Sequence, residues 1–209
     1  MLESGPPRNR AIAAGALGFS ASKDVLGPLV VALADKEADV VQNAALSLAL
    51  LQNTETPMLA LLEVMQGNTN GNARANAAYA VRSILEAGGT ADENVIKAAR
   101  HGLVDEEPFA QAQSALILAI AKDGDSIPDL GELLQAKSPL VMGAGTQALL
   151  ALGRGDPKLL GPTARAMVTG MGAATKEQRP AIQRAQVLLS GHNYEDDLGK
   201  WTEWAQRLP

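Results

Sequence analysis

Apolar side chains in this sequence recur at helical spacing within short segments, and the segments themselves recur. Val25, Leu29, Val30 and Leu33 fall on one helical face, as do Leu46, Leu50 and Leu51, while alternation of period two is sustained nowhere. A second, longer period overlies the first. Small residues at Ala13, Ala44, Ala77, Ser114 and Gly145, followed less cleanly by Ile182, stand 31, 33, 37, 31 and 37 residues apart. Three residues before them stand Arg10, Val41, Arg74, Gln111, Met142 and Arg179; four residues after them stand Leu17, Leu48, Val81, Leu118, Leu149 and Gln186. Repeats of this length predict stacked helix pairs, in which no pair buries its apolar face alone.

The first helix of each pair is shorter, and prolines mark its opening in Gly27-Pro28, Thr56-Pro57, Ile127-Pro128 and Gly161-Pro162. A first helical turn tolerates proline because the missing amide would have no partner there. Thr56 and Ser126 are the expected N-caps. Turns fall at Gly67-Asn68-Thr69-Asn70-Gly71, Gly88-Gly89-Thr90 and Lys122-Asp123-Gly124-Asp125-Ser126. None is long enough for a linker, which predicts one continuous domain. Residues 1–7 read as a disordered leader, residues 8–191 as the repeat array and residues 192–209 as a closing segment. The helix from Arg8 to Phe19 reads as the second member of a pair that lacks its first. Either the array starts on a half-repeat, or the chain is cut from a longer protein.

Composition narrows the chemistry. The chain has 209 residues, 46% hydrophobic but only 3% aromatic, so its core is built from Ala, Leu, Val and Ile. A net charge of −5 disfavours nucleic acid as a partner. With no Cys, thiolate catalysis and thiolate metal sites are excluded. No apolar run is long enough to span a bilayer, and the first residues lack the basic and apolar regions of an export signal, which makes the cytoplasm the default location. His101 and His192 are isolated, and His101 fits a cation closing a helix C-terminus. The glycine clusters lack the strand and Lys-Ser/Thr of a phosphate loop. No catalytic residue, metal ligand or cofactor site is read from the sequence. Between Asp105 and Asp156 the charge is −5, and from Pro157 to Pro209 it is +2, an asymmetry that would suit head-to-tail self-association.

The phrase Asp35-Lys36-Glu37-Ala38-Asp39-Val40-Val41-Gln42-Asn43-Ala44-Ala45-Leu46-Ser47-Leu48 resembles a HEAT repeat. Arg10 with Ala13-Ala14-Gly15-Ala16-Leu17-Gly18, Arg74 with Ala77-Ala78, and Gln147-Ala148-Leu149-Leu150-Ala151-Leu152-Gly153 carry the same pattern. Recurrence, rather than any single copy, makes the likeness persuasive. It implies an all-α, right-handed superhelix of about five to six helix pairs, acting as a noncatalytic scaffold for a protein or an extended peptide. The second helices would line its concave face, with Arg10, Val41, Arg74, Gln111, Met142 and Arg179 in one row and Asn43, Asn76 and Gln113 in the next. The family also implies another use for the arginines, pairing with an acidic residue of a neighbouring turn, here Asp39. Two other readings stay open: a phycobilin-lyase-like chaperone and a structural spacer. The recurring His-Glu pairs of HEAT-repeat di-iron hydroxylases and the basic, aromatic groove of HEAT-like DNA glycosylases are both missing.

Tyr194, Leu198, Trp201, Ala205 and Leu208 share a face of a last helix, which predicts a cap over the end of the stack. Trp204 lies off that face and is the candidate aromatic anchor for a partner. The segment Gly191-His192-Asn193-Tyr194-Glu195-Asp196-Asp197 with Trp201 and Trp204 resembles the closing segment of some bacterial HEAT-repeat proteins.

Overall fold

The computed structural model describes residues 2, 4–20 and 22–209. Met1 and Glu3, part of the expected leader, lie outside the described residues. Every regular element among those described is helical. The chain forms two compact units, Met1–Ile120 and Ala121–Pro209.

The first unit contains α1 (Pro7–Leu17), α2 (Leu26–Ala32), α3 (Ala38–Leu51), α4 (Met58–Gly67), α5 (Gly71–Glu86), α6 (Glu93–Gly102) and α7 (Pro108–Ile120). α2/α3, α4/α5 and α6/α7 are the helix pairs, and α1, α3, α5 and α7 stack side by side as their second members. The stack is tight because its contact positions are small. A Cβ at Gly18, just past α1, would lie 2.9 Å from the Cα of Ser47 on α3. Ala44, Ala45, Ala77 and Ala78 are buried, as are Leu48, Val81, Ile84 and Leu118. Local chemistry sets the helix ends. The Asn70 side chain accepts from the Ala73 amide at 3.0 Å and starts α5, and Asp92 does the same for α6 through Val95 at 2.9 Å. α5 ends where Gly88 turns to φ +102° and the Gly89 amide donates back to the Ile84 carbonyl at 2.9 Å. Asn70→Ala is expected to cost about 1 kcal/mol of stability by urea titration, the usual worth of an N-cap.

The second unit contains α8 (Ile127–Glu132), α9 (Pro139–Gly155), α10 (Pro157–Ala173), α11 (Arg179–Ser190) and α12 (Leu198–Gln206). α8/α9 and α10/α11 are pairs, and α12 packs on α10. Trp201 and Ala205 bury α12, with the indole Nε1 donating to the Glu195 carbonyl at 3.0 Å and Tyr194 meeting the Trp201 ring edge-on.

Two expectations about helix starts are corrected. Pro162 does not open α10: Asp156 caps it by accepting from the Lys158 amide at 2.8 Å, Pro157 occupies the first turn, and Pro162 falls inside the helix. Thr56 and Ser126 do not cap. The Thr56 hydroxyl is buried without a partner, and the Ser126 hydroxyl donates to the Asp123 carboxylate instead.

Candidate functional site

The arginine row is committed to the stack itself. Arg10 on α1 forks onto Asp35 in the α2–α3 turn, Nε to Oδ2 at 2.7 Å and Nη2 to Oδ1 at 2.8 Å, and its Nη1 donates to the Gly5 carbonyl. Arg74 on α5 repeats the device with Asp105 in the α6–α7 turn, both contacts at 2.7 Å, and donates to the Asn68 carbonyl. In each turn the carboxylate also accepts an amide two residues on, Glu37 or Glu107. The partner is thus Asp35 and not Asp39. Asp39 sits in the exposed first turn of α3, whereas Asp35 lies in the turn that the guanidinium can reach in bidentate geometry. Where the row residue is Val41, the turn carries uncharged Asn68, whose side chain accepts from the Asn70 amide at 2.9 Å. Arg179 makes a looser version, 3.4 Å from Asp196, with further donation to the Ala174 and Gly172 carbonyls.

Arg10 holds the Asp35 carboxyl below its ordinary value, chiefly by hydrogen bonding. For Asp105, burial pushes the pKa up, but the hydrogen bonds from Arg74 and from the Glu107 amide outweigh it and the net shift is downward.

The asparagine row is likewise turned inward. The Asn43 Nδ2 donates across to the Ala11 carbonyl at 2.9 Å, and the Asn76 Nδ2 to the Gln42 carbonyl at 3.3 Å. Ser47 adds a bond to the Ala14 carbonyl at 2.7 Å. Gln111 donates to Leu103 of its own pair at 2.6 Å, while Val41, Met142 and Gln113 are buried and present no surface. Trp204 is half-buried, edge-on to Trp201 at 5.8 Å between centroids.

The surface of the second helices in the first unit is left to other residues. Leu46 and Leu50 on α3 are 38% and 48% exposed. Tyr79 on α5 occupies the position of Leu46 one repeat later. It packs at 6.1 Å against Phe109 of α7, and the Arg82 guanidinium lies 5.3 Å over its ring. Beside this strip, a cleft of about 500 Å³ between α1 and α3 is lined by Arg8, Ile12, Glu37, Asp39, Gln42 and Asn43. Sequence reasoning missed the strip, although a signal existed: Leu46 and Tyr79 both stand two residues after a repeat anchor. Among the described residues, no group of three or more His, Cys, Asp or Glu side chains is placed to hold a metal ion, and no helix is long and apolar enough to cross a membrane.

This arrangement of helix pairs with a stacked second-helix face defines an α-helical repeat protein. Residues 1–82 match the family model for HEAT repeats. Its fold is that of an engineered protein solved by crystallography, at 18% identity and a TM-score of 0.67, covering 91% of this chain and 94% of that one. A designed armadillo repeat protein is similar at 18% identity and a TM-score of 0.63, over 90% of this chain and 97% of the design. The complex of CpcE and CpcF of phycocyanin lyase from Nostoc sp. PCC7120 is similar at 17% identity and a TM-score of 0.58, over 100% of this chain and 92% of that one. No curated protein matches the chain by sequence.

Proposed function

We propose that the protein is a noncatalytic scaffold that holds an extended segment of another protein against the second helices of its first unit. The observation that carries this reading is the Leu46–Leu50–Tyr79–Phe109 strip. The helices there are otherwise sealed by their own side chains, yet Leu46 and Leu50 are exposed, and half-buried Tyr79 stands at the repeat position of Leu46 with its ring against half-buried Phe109. Aromatic residues are scarce in this chain, and such side chains supply most of the energy in protein recognition. The adjoining cleft, with Glu37, Asp39 and Gln42 at its wall, offers acceptors to the backbone amides or basic side chains of such a segment. In this reading Arg10 and Arg74, tied to Asp35 and Asp105, act by stabilising the scaffold.

A photo-reactive phenylalanine at Leu46 or Leu50 is expected to crosslink a polypeptide from the source cell, whereas one at Leu59, which is exposed on the first-helix side at α4, is not. Equal labelling at all three positions, or none, would reject the reading. Likeness to a phycocyanin lyase complex at 17% identity speaks for the fold. A shifted absorption band on mixing with a bilin would redirect the assignment to tetrapyrrole handling.

A further inference from the structure

We infer that the segment held on the first unit is basic at both ends and apolar between: an extended stretch with Lys or Arg at two positions about five or six residues apart and aliphatic or aromatic residues separating them. The inference rests on the scaffold reading above and adds to it the chemistry of the partner. The Leu46–Leu50–Tyr79–Phe109 strip marks where the segment lies, and the charges that flank the strip select what it carries.

Those flanking charges are acidic and recur in repeat register. Glu37 and Glu107 each stand seven residues before a repeat anchor, Ala44 and Ser114. Each also lies against the first turn of the preceding second helix. Glu37 lines the α1–α3 cleft together with Pro7. Gly71 on α5 is the repeat counterpart of Pro7, and a Cβ there would lie 3.2 Å from the Glu107 Cβ and 3.4 Å from its Oε2. An exposed carboxylate neighbours each one, Asp39 in the first turn of α3 and Glu106 beside Glu107. The interface between α3 and α5 has Asn70 and Asn72 at the positions of Glu37 and Asp39. Two acidic stations, α1–α3 and α5–α7, therefore bracket a neutral one, and the exposed Leu46 and the half-buried Tyr79 stand on the two helices between them.

The cations of this face are engaged elsewhere or outnumbered. Arg10 and Arg74 are forked onto Asp35 and Asp105, and Arg82 lies over the Tyr79 ring with its Nε 3.5 Å from Glu86. Among the described residues Arg8 is the one cation lining the α1–α3 cleft, against Glu37 and Asp39. Residues 1–120 carry thirteen acidic and eight basic side chains, a net charge of −5, whereas residues 121–209 are neutral. A basic segment meets this surface with opposite charge and an acidic one with like charge, and such complementarity governs which partner is accepted. The spacing follows from the stack. Packed helices lie roughly 8–10 Å apart, so two helix steps set the stations about 16–20 Å apart. An extended chain covers that distance in about five or six residues. At the second station the Tyr79–Phe109 ring pair gives the stem of a Lys or Arg an apolar surface to lie on.

Arrayed synthetic peptides test this, with the labelled 209-residue chain as the probe. One class has Lys at two positions about six residues apart, with Leu, Ile, Val, Phe or Tyr at the positions between. A second has Glu in place of both Lys, and a third keeps both Lys but has Ser between them. The parent is expected to retain the first class about tenfold more strongly than the second or the third. Its preference over the Glu class should fade as salt is raised. Asp39→Lys with Glu106→Lys, one exposed change at each station, should bind the first two classes alike while keeping parental circular dichroism and cooperative melting. Leu46→Glu should lose every class. A parent that retains the Glu or the Ser class as well as the first, a preference that survives Asp39→Lys with Glu106→Lys, or no retained class at all would overturn the inference. The scaffold reading is judged separately, by crosslinking at Leu46: a polypeptide captured there alongside any of those results would mean that the strip holds a segment of other charge.

Discussion

Asp105→Ala is expected to destabilise the protein by about 2 kcal/mol at pH 7. The carboxylate joins three elements: it holds Arg74 of α5 through two bonds of 2.7 Å, and it accepts the Glu107 amide that leads into α7. Removing it leaves a mostly buried guanidinium and an amide without their acceptor. The loss is set below the roughly 3–5 kcal/mol of a fully buried pair because the Arg74 side chain keeps some contact with water. The effect depends on pH with a definite sign. Asp105 titrates below its ordinary 3.8 in the folded chain, so its contribution is complete above that value and is lost as the pH falls through the lower, folded value. Urea titrations should show parent and variant about 2 kcal/mol apart at pH 7 and converging in strong acid. A constant gap down to pH 2 would mean that packing, not the ion pair, carries the loss. Asp35→Ala should follow the same course in direction, since Arg10 holds it in the same geometry.

The repeat fold was legible because it is written many times. A single Arg-x-x-small phrase says little, but its return every 31 to 37 residues fixes the helix register, and the second helices stack in that order within each unit. The polar rows were legible as rows but not as to which way they faced. Arginine at the fourth position of a second helix could have pointed to a ligand or to the next turn, and the difference lies in the turn. Arg10 is answered by Asp35, Val41 by Asn68, Arg74 by Asp105: charge in the helix and charge in the following turn rise and fall together. That correlation was present in the sequence, but the turn lies 25 to 31 residues from the row residue, and only the geometry of the pairing identifies Asp35 rather than Asp39. The exposed strip was hidden for the opposite reason. α3 is apolar on nearly every side, so Leu46 and Leu50 could not be separated by spacing from Leu48, which is buried. Tyr79 and Phe109 stand far apart in the sequence, and only the stacking of α5 and α7 brings their rings together.

Gln186→Leu is expected to stabilise the protein by about 2 kcal/mol, the cost of a buried amide that makes no hydrogen bond. At this position of the repeat the other second helices carry Leu17, Leu48, Val81, Leu118 and Leu149. Gln186 on α11 is 0% exposed, and neither its Nε2 nor its Oε1 meets a partner. The amide therefore forfeits its bonds to water on folding and regains none, whereas a leucine of similar volume loses only contact with water, which favours burial. Gln186→Met, closer in shape, should gain nearly as much, and Thr163→Val on α10 should gain less, because a single unpaired hydroxyl is removed there. For a chain of this length the Gln186→Leu gain corresponds to roughly 4–8 °C in the melting midpoint. Differential scanning calorimetry at matched concentration separates the possibilities. A rise for both Leu and Met locates the cost in the unpaired amide; a fall for both would show that the amide is satisfied by an internal water, and that the departure from the repeat's leucine contributes to the stability of α11.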